Sequence, residues 1–111
     1  MIMIPLIQNN IPAIQALCKK HFVKALYLFG SAVNEKVFNE KSDVDFLYEI
    51  DTNNFNTWNA GNYDYIDNLN DLEMNLNRLL RRKIDLVPYN NIHNRYFKES
   101  VDCNRQLVYG G

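Results

Sequence analysis

Apolar residues recur along this chain in two different rhythms. Ile11, Ile14, Leu17, Cys18 and Phe22 fall at helical spacing, and Pro12 suits a first turn, so the pattern predicts a helix over 11–22. Residues 24–29, Lys-Ala-Leu-Tyr-Leu-Phe, read as a buried strand ended by Gly30. Ser31 is a good N-cap type and opens a short helix over 31–38. From 43 to 50 the rhythm has a period of two. Val44, Phe46, Tyr48 and Ile50 form a core face, and Asp43, Asp45, Leu47 and Glu49 form the other. Residues 51–62 are an asparagine-rich loop holding Phe55 and Trp58, expected to be mobile.

The longest periodic segment follows. Ile66, Leu69, Leu72, Leu76, Leu79 and Leu80 make one stripe of a helix over 63–82. Its start is acidic (Asp64, Asp67, Asp71) and its end basic (Arg78, Arg81, Arg82), which complements a helix dipole. Residues 83–87 read as a third strand closed by Pro88. Residues 92–108 read as a last helix stopped by Gly110-Gly111. Helices and strands therefore alternate, and the fold class is α/β (α+β): a small mixed sheet of about three strands flanked by helices. No internal repeat or linker interrupts residues 1–111, which read as a single domain.

Composition narrows the function. A chain of 111 residues with 47% hydrophobic content suits one core. A net charge of −1 argues against a broad electrostatic grip on nucleic acid. The basic cluster Arg78, Arg81, Arg82 and Lys83 is read as a helix end, with phosphate contact as the sharper alternative. Cys18 and Cys103 have no metal-ligand spacing and no disulfide framework, so a reducing, cytoplasmic setting is expected. The apolar run Met1–Ile7 contains Pro5 and lacks a basic lead-in, so it does not read as a signal peptide, and no stretch approaches membrane-spanning length. His21 and His93 form no ligand pair and are expected in core or solvent positions.

Three features carry chemistry. Gly30-Ser31 sits between a strand and a helix, where backbone N–H groups can face a phosphate and the serine hydroxyl can donate to it. The bland alternative is a capped turn. Asp43 and Asp45 stand two apart on a strand, so they face one way, roughly 6 to 7 Å apart. Such a pair can share a divalent ion or bracket two ions about 3.5 to 4 Å apart, and oxygen-only ligands favour Mg²⁺ or Mn²⁺. An exposed acidic strand start is the alternative. Asp85 is a charged residue in the apolar run Lys83-Ile84-Asp85-Leu86-Val87. A buried carboxylate there needs compensation, from an ion shared with Asp43 and Asp45 or from a salt bridge to Lys83 or Arg82. Together the three suit metal-dependent phosphoryl or nucleotidyl transfer.

Gly30-Ser31, Asp43-Val44-Asp45 and Asp85, with Tyr27-Leu28-Phe29 and Ser42 beside them, resemble the minimal nucleotidyltransferases, the MNT domains of the DNA polymerase beta superfamily. The segment Tyr96–Val101 through Leu107–Gly110 is similar to the last helix of MNT proteins paired with HEPN-domain partners. The resemblance implies a polymerase beta palm-like fold. It implies catalytic and metal-binding roles for Asp43, Asp45 and Asp85, nucleotide binding at Gly30 and Ser31, two Mg²⁺ ions, and ATP as donor. It implies an antitoxin of type VII character that adenylylates a tyrosine of a HEPN toxin, in a hetero- or homo-oligomer. Two other readings stand beside it: an antitoxin that neutralises by binding alone, and a transferase acting on a small aminoglycoside-like compound. The chain departs from the family in two places. One extra residue lies between Ser31 and Asp43, and Ala32-Val33-Asn34 replaces the frequent Arg-Gly.

Overall fold

A computed structural model describes residues 3–33, 38–39, 41–53, 55, 65–89 and 105–110. Chain order is α1 (Pro5–Gln8), α2 (Ile11–Lys20), β1 (Val23–Phe29), a 3₁₀ turn (Gly30–Val33), β2 (Val44–Ile50), α3 (Tyr65–Leu80), β3 (Ile84–Pro88) and β4 (Gln106–Gly110). The strands form one four-stranded sheet in the order β3-β2-β1-β4. β1 pairs antiparallel with both β2 and β4, whereas β2 and β3 run parallel. The α+β class expected from the sequence is what the chain adopts.

One sheet face is dry. Leu26, Leu28, Val44, Phe46, Tyr48, Ile84 and Val108 meet Ile7, Ile14 and Cys18 from the first two helices and Leu72, Leu76 and Leu80 from α3. Burying a side chain such as Phe46 contributes about 1.5–3 kcal/mol. On the other face Phe29 and Leu47 are buried, with Tyr27, Val87 and Tyr89 packed around them.

Helix ends are set by side chains that reach across the fold. α2 closes through Phe22, whose φ of 61° is left-handed. The buried His21 beside it bonds through Nδ1 to Asn68 Oδ1 at 2.9 Å, and Asn68 Nδ2 donates to the His21 carbonyl at 2.8 Å. His21 is thus a satisfied core residue that ties α2 to α3. The same pair explains why Asn68 occupies a buried position on α3 while Ile66, assigned to the apolar stripe by spacing, is 59% exposed. Phe55, within the expected asparagine-rich loop, is buried, meeting Phe22 and Tyr65 edge-on at 5.7 and 5.9 Å.

Two elements differ from expectation. α1 is one turn long, too short to show a period. Residues 106–108, assigned to a final helix, instead begin β4. Leu107-Val108-Tyr109 is a β-favouring run, and Gln106 and Val108 turn inward on alternate positions. Gly110 is not a helix stop. Its φ is +80°, and a Cβ there would overlap the Lys24 carbonyl of β1, so glycine is what lets the two backbones pair. Residues 92–104 of that expected helix, the 34–37 part of the expected helix over 31–38, Trp58, Asp64, His93 and Cys103 lie outside the described residues.

No described helix is long and apolar enough to cross a membrane. Cys18 is fully buried, and desolvation pushes its thiol up to about 12. Iodoacetamide at about pH 8 is therefore expected to spare Cys18 in the native protein and to modify it after unfolding. Peptide masses read the result, and native-state labelling would contradict the packing.

Candidate active site

β1 leads directly into the site. Phe29 ends the strand, and the chain turns at Gly30 with φ +70°, a left-handed conformation that costs other residues about 1–2 kcal/mol. A Cβ at Gly30 would lie 2.5 Å from Asp45 Oδ2. The glycine therefore does two things: it makes the turn, and it leaves the space that the Asp45 carboxylate occupies. Ser31 belongs to the 3₁₀ turn by its backbone, and its side chain lies outside the described residues.

Asp45 is the second residue of β2. Strand alternation turns it, with Leu47, to the face opposite the helices. Asp43 stands just ahead of the strand and is half-buried. In the parallel pairing of β2 with β3, Asp45 is the register partner of Asp85, and adjacent strands lie about 4.8 Å apart. The fold thus brings the second and third carboxylates level with each other from positions forty residues apart in sequence.

Asp85 itself corrects one step of the sequence argument. It is exposed, not buried: among the described strands β3 stands at the end of the sheet. Burial does not require a compensating cation there, so its place in the site rests on the register. Arg82, offered above as a salt-bridge partner, is used differently. Its Nη1 donates to the carbonyls of Asn39 at 2.7 Å and Ser42 at 3.0 Å, and its guanidinium lies 4.8 Å from the Phe38 ring centroid. It pins the turn that delivers Asp43. Nothing in a local reading of the helix end signals this contact, which spans about forty residues.

The electrostatics tie the carboxylates together. The Asp45 carboxyl titrates above its ordinary 3.8. Desolvation is the largest cause, and the charges of Asp85 and then Asp43 add to it. As placed, among the described residues no three His, Cys, Asp or Glu side chains are spaced to hold an ion together. The donor set nevertheless fits a hard divalent cation: three carboxylates, oxygen ligands only, mutually repelling, with Asp45 and Asp85 in register on neighbouring strands.

A further group on the same face escaped the sequence reading. Tyr27 is two residues before Phe29 and faces the same way. Arg105, just ahead of β4, lays its guanidinium 4.4 Å from the Tyr27 ring centroid and 5.1 Å from that of Tyr89. Its Nη1 donates to the Tyr89 hydroxyl at 2.7 Å. This stack bridges β4 and the end of β3 across the sheet and roofs Leu47. Its signal was hidden because residues 92–108 read as helix.

Similar proteins agree with this architecture. The sequence profile of the polymerase beta nucleotidyltransferases matches residues 13–110. A Methanocaldococcus jannaschii protein named as a protein adenylyltransferase (MJ1379) is 35% identical over 91 residues, covering 81% of this chain and 79% of its own. A second from that organism (MJ0126) is 36% identical over 94 residues, covering 82% and 80%. Among solved structures, a minimal nucleotidyltransferase superposes with a TM-score of 0.65 at 20% identity, covering 89% of each chain. A toxin–antitoxin complex with AMP-PNP gives 0.64 at 21% identity, covering 92% of this chain and 74% of that one. A complex of tri-AMPylated Shewanella oneidensis HEPN toxin with its MNT antitoxin gives 0.59 at 20% identity, covering 95% and 73%. At these identities the structural likeness is one of fold.

Proposed function

This chain belongs to the polymerase beta nucleotidyltransferase family, and from that premise we propose that it transfers AMP from ATP to a tyrosine hydroxyl of a HEPN-domain toxin. In that role it is the toxin's antitoxin, acting in the cytoplasm as part of a hetero-oligomer with its target. The observation that carries the reading is the register of Asp45 with Asp85 beside a glycine turn that the Asp45 carboxylate fills. The names of the relatives, protein adenylyltransferases, support a protein acceptor.

Each residue has a task in this reading. Backbone N–H groups of the Gly30-Ser31 turn receive the triphosphate, and the Ser31 hydroxyl donates to it. Asp43, Asp45 and Asp85 hold the Mg²⁺ ions, two in number. Bound Mg²⁺ supplies neutralisation of phosphate charge. Arg82 keeps the turn before Asp43 in place. Asp85, exposed at the sheet edge, accepts the proton of the incoming hydroxyl. The acceptor oxygen forms a bond to the α-phosphorus, the α–β bridging P–O bond breaks, and pyrophosphate leaves with the electron pair. Alignment and charge stabilisation account for most of the rate.

The test uses the purified chain, ATP, Mg²⁺ and the HEPN-domain protein encoded with it. The expected result is a gain on the partner of one or more AMP units, located on tyrosine by peptide masses. No gain while the two proteins bind would reject the reading. The second reading, neutralisation by binding alone, draws on one observation: the carboxylates as placed form no ion-holding trio. It requires that Asp43→Ala with Asp45→Ala protects cells from the toxin as well as the wild type does.

A further inference from the structure

We infer that the groove between α3 and the outer edge of β3 is where the protein acceptor docks, as an extended, neutral-to-basic segment that runs along β3 and delivers its hydroxyl to Asp85. The inference rests on the adenylyl-transfer reading above and adds to it the surface that selects the acceptor.

Four observations lead there. First, β3 is an edge of the sheet: β2 pairs one side, and among the described residues no strand pairs the other. A free strand edge is a ready template for an extended chain, whose main-chain hydrogen bonds supply affinity while side-chain pockets supply choice. Second, a cavity of about 440 Å³ opens along this edge, with Asn70, Glu73, Met74 and Asn77 on α3 facing Lys83 and Asp85. The four α3 positions follow i, i+3, i+4, i+7 spacing, so one helix face forms the wall. Third, Asp85 lines this groove and also stands in register with Asp45. A segment seated in the groove is therefore already beside the carboxylate that receives its proton.

The fourth observation is chemical. The wall combines amides, which can bond a peptide backbone, with Met74, which is 48% exposed and whose flexible thioether adapts to an apolar side chain. Glu73 and Asp85 outnumber Lys83, and Asp43 and Asp45 add negative charge behind them. An acidic segment is repelled here and a basic one is drawn in.

The experiment measures steady-state transfer to the HEPN-domain partner, its binding to the chain by titration calorimetry, and Mg·ATP affinity. It compares wild type, Met74→Lys, Glu73→Lys, and Ile66→Glu as a control on the same helix outside the groove. Met74→Lys, which removes the apolar contact and adds a repelling charge, and Glu73→Lys are each expected to raise the acceptor KM, and to weaken partner binding, by about tenfold. The kcat at saturating acceptor, the Mg·ATP affinity and the melting curve stay as in wild type, and Ile66→Glu changes none of these. An unaltered KM and unaltered partner affinity in both groove variants would overturn the inference. So would a change of oligomeric state in place of a change in KM. If wild type transfers nothing, the adenylyl-transfer reading fails, and the binding arm alone decides: weakened binding by the groove variants upholds the dock, and equal binding removes it.

Discussion

Asp45→Asn is expected to lower transfer by about a thousandfold or more while raising the melting temperature of the ligand-free protein by a few degrees. The two effects have one cause. Asp45 is half-buried beside two other carboxylates, and desolvation, then Asp85, then Asp43 push its pKa above 3.8. A carboxylate whose folded pKa lies above its unfolded value binds more protons in the native state, so its ionisation opposes folding. That penalty is fully present above the raised pKa and is relieved as pH falls through it. Asparagine keeps the shape and removes the charge, so the destabilising term disappears at neutral pH. In the proposed mechanism it also removes a charge that would hold the cation, a loss of about 10²–10³ for one well-placed electrostatic group and more for a ligand shared by ions. Thermal melts of wild type and Asp45→Asn at neutral and mildly acidic pH, with rates measured beside them, check both parts. The wild type should approach the variant's melting temperature as pH falls. A variant that melts lower than wild type at neutral pH would contradict the electrostatic account.

The second large effect comes from Gly30 and Gly110, both with positive φ, which separate site from scaffold. Gly30→Ala is expected to cost about 1–2 kcal/mol from the left-handed backbone alone. Its Cβ also meets Asp45 Oδ2 at 2.5 Å. Because that atom is the end of a side chain, the carboxylate swings away and the fold survives. A displacement of about 1 Å at a reacting centre costs on the order of 10² in rate, so transfer per folded molecule should fall by that factor. Gly110→Ala behaves the other way. Its Cβ overlaps the Lys24 backbone carbonyl, which cannot move without breaking the β1–β4 pairing. Stability should fall further than for Gly30→Ala, with transfer per folded molecule unchanged. Denaturant titrations and rates normalised to folded protein check the contrast, and equal rate losses in the two variants would contradict it.

Features set by local pattern are legible in the sequence, and those set by distant partners are not. The Ile14–Leu17–Cys18 face, the Leu72–Leu76–Leu80 stripe and the alternation of Val44, Phe46 and Tyr48 each repeat often enough to define an element, and α2, α3 and β2 follow them. β4 is hidden because Gly110-Gly111 resembles a helix stop, whereas Gly110 serves a close approach to Lys24 that only the sheet order creates. The apolar neighbours of Asp85 suggest burial. Whether a strand is central or at an edge is decided by strand order, and among the described strands β3 lies at an edge.

The same division runs through the site. The face that Asp45 shares with Leu47 follows from the strand period, whereas Asp43, expected on the same strand, stands just ahead of it. The level pairing of Asp45 with Asp85 follows from a parallel register that no local pattern reveals. Arg82 looked like a helix terminus complementing its dipole, yet its partners are the carbonyls of Asn39 and Ser42. Arg105 lies in a segment with a helical appearance, and its stack on Tyr27 and Tyr89 forms only once all four strands are assembled.

The central claim is that Asp43, Asp45 and Asp85 act as one cation site against the Gly30 turn. Mn²⁺ titration into ¹⁵N-labelled protein with ATP present tests it most directly, because a paramagnetic ion broadens the amides nearest to it. The expected result is early loss of the Gly30, Val44, Asp45 and Asp85 signals, with α2 unaffected and the pattern abolished in Asp45→Asn. Broadening centred instead on Asp67, Asp71 and Glu73 of α3, or unchanged by Asp45→Asn, would contradict the account.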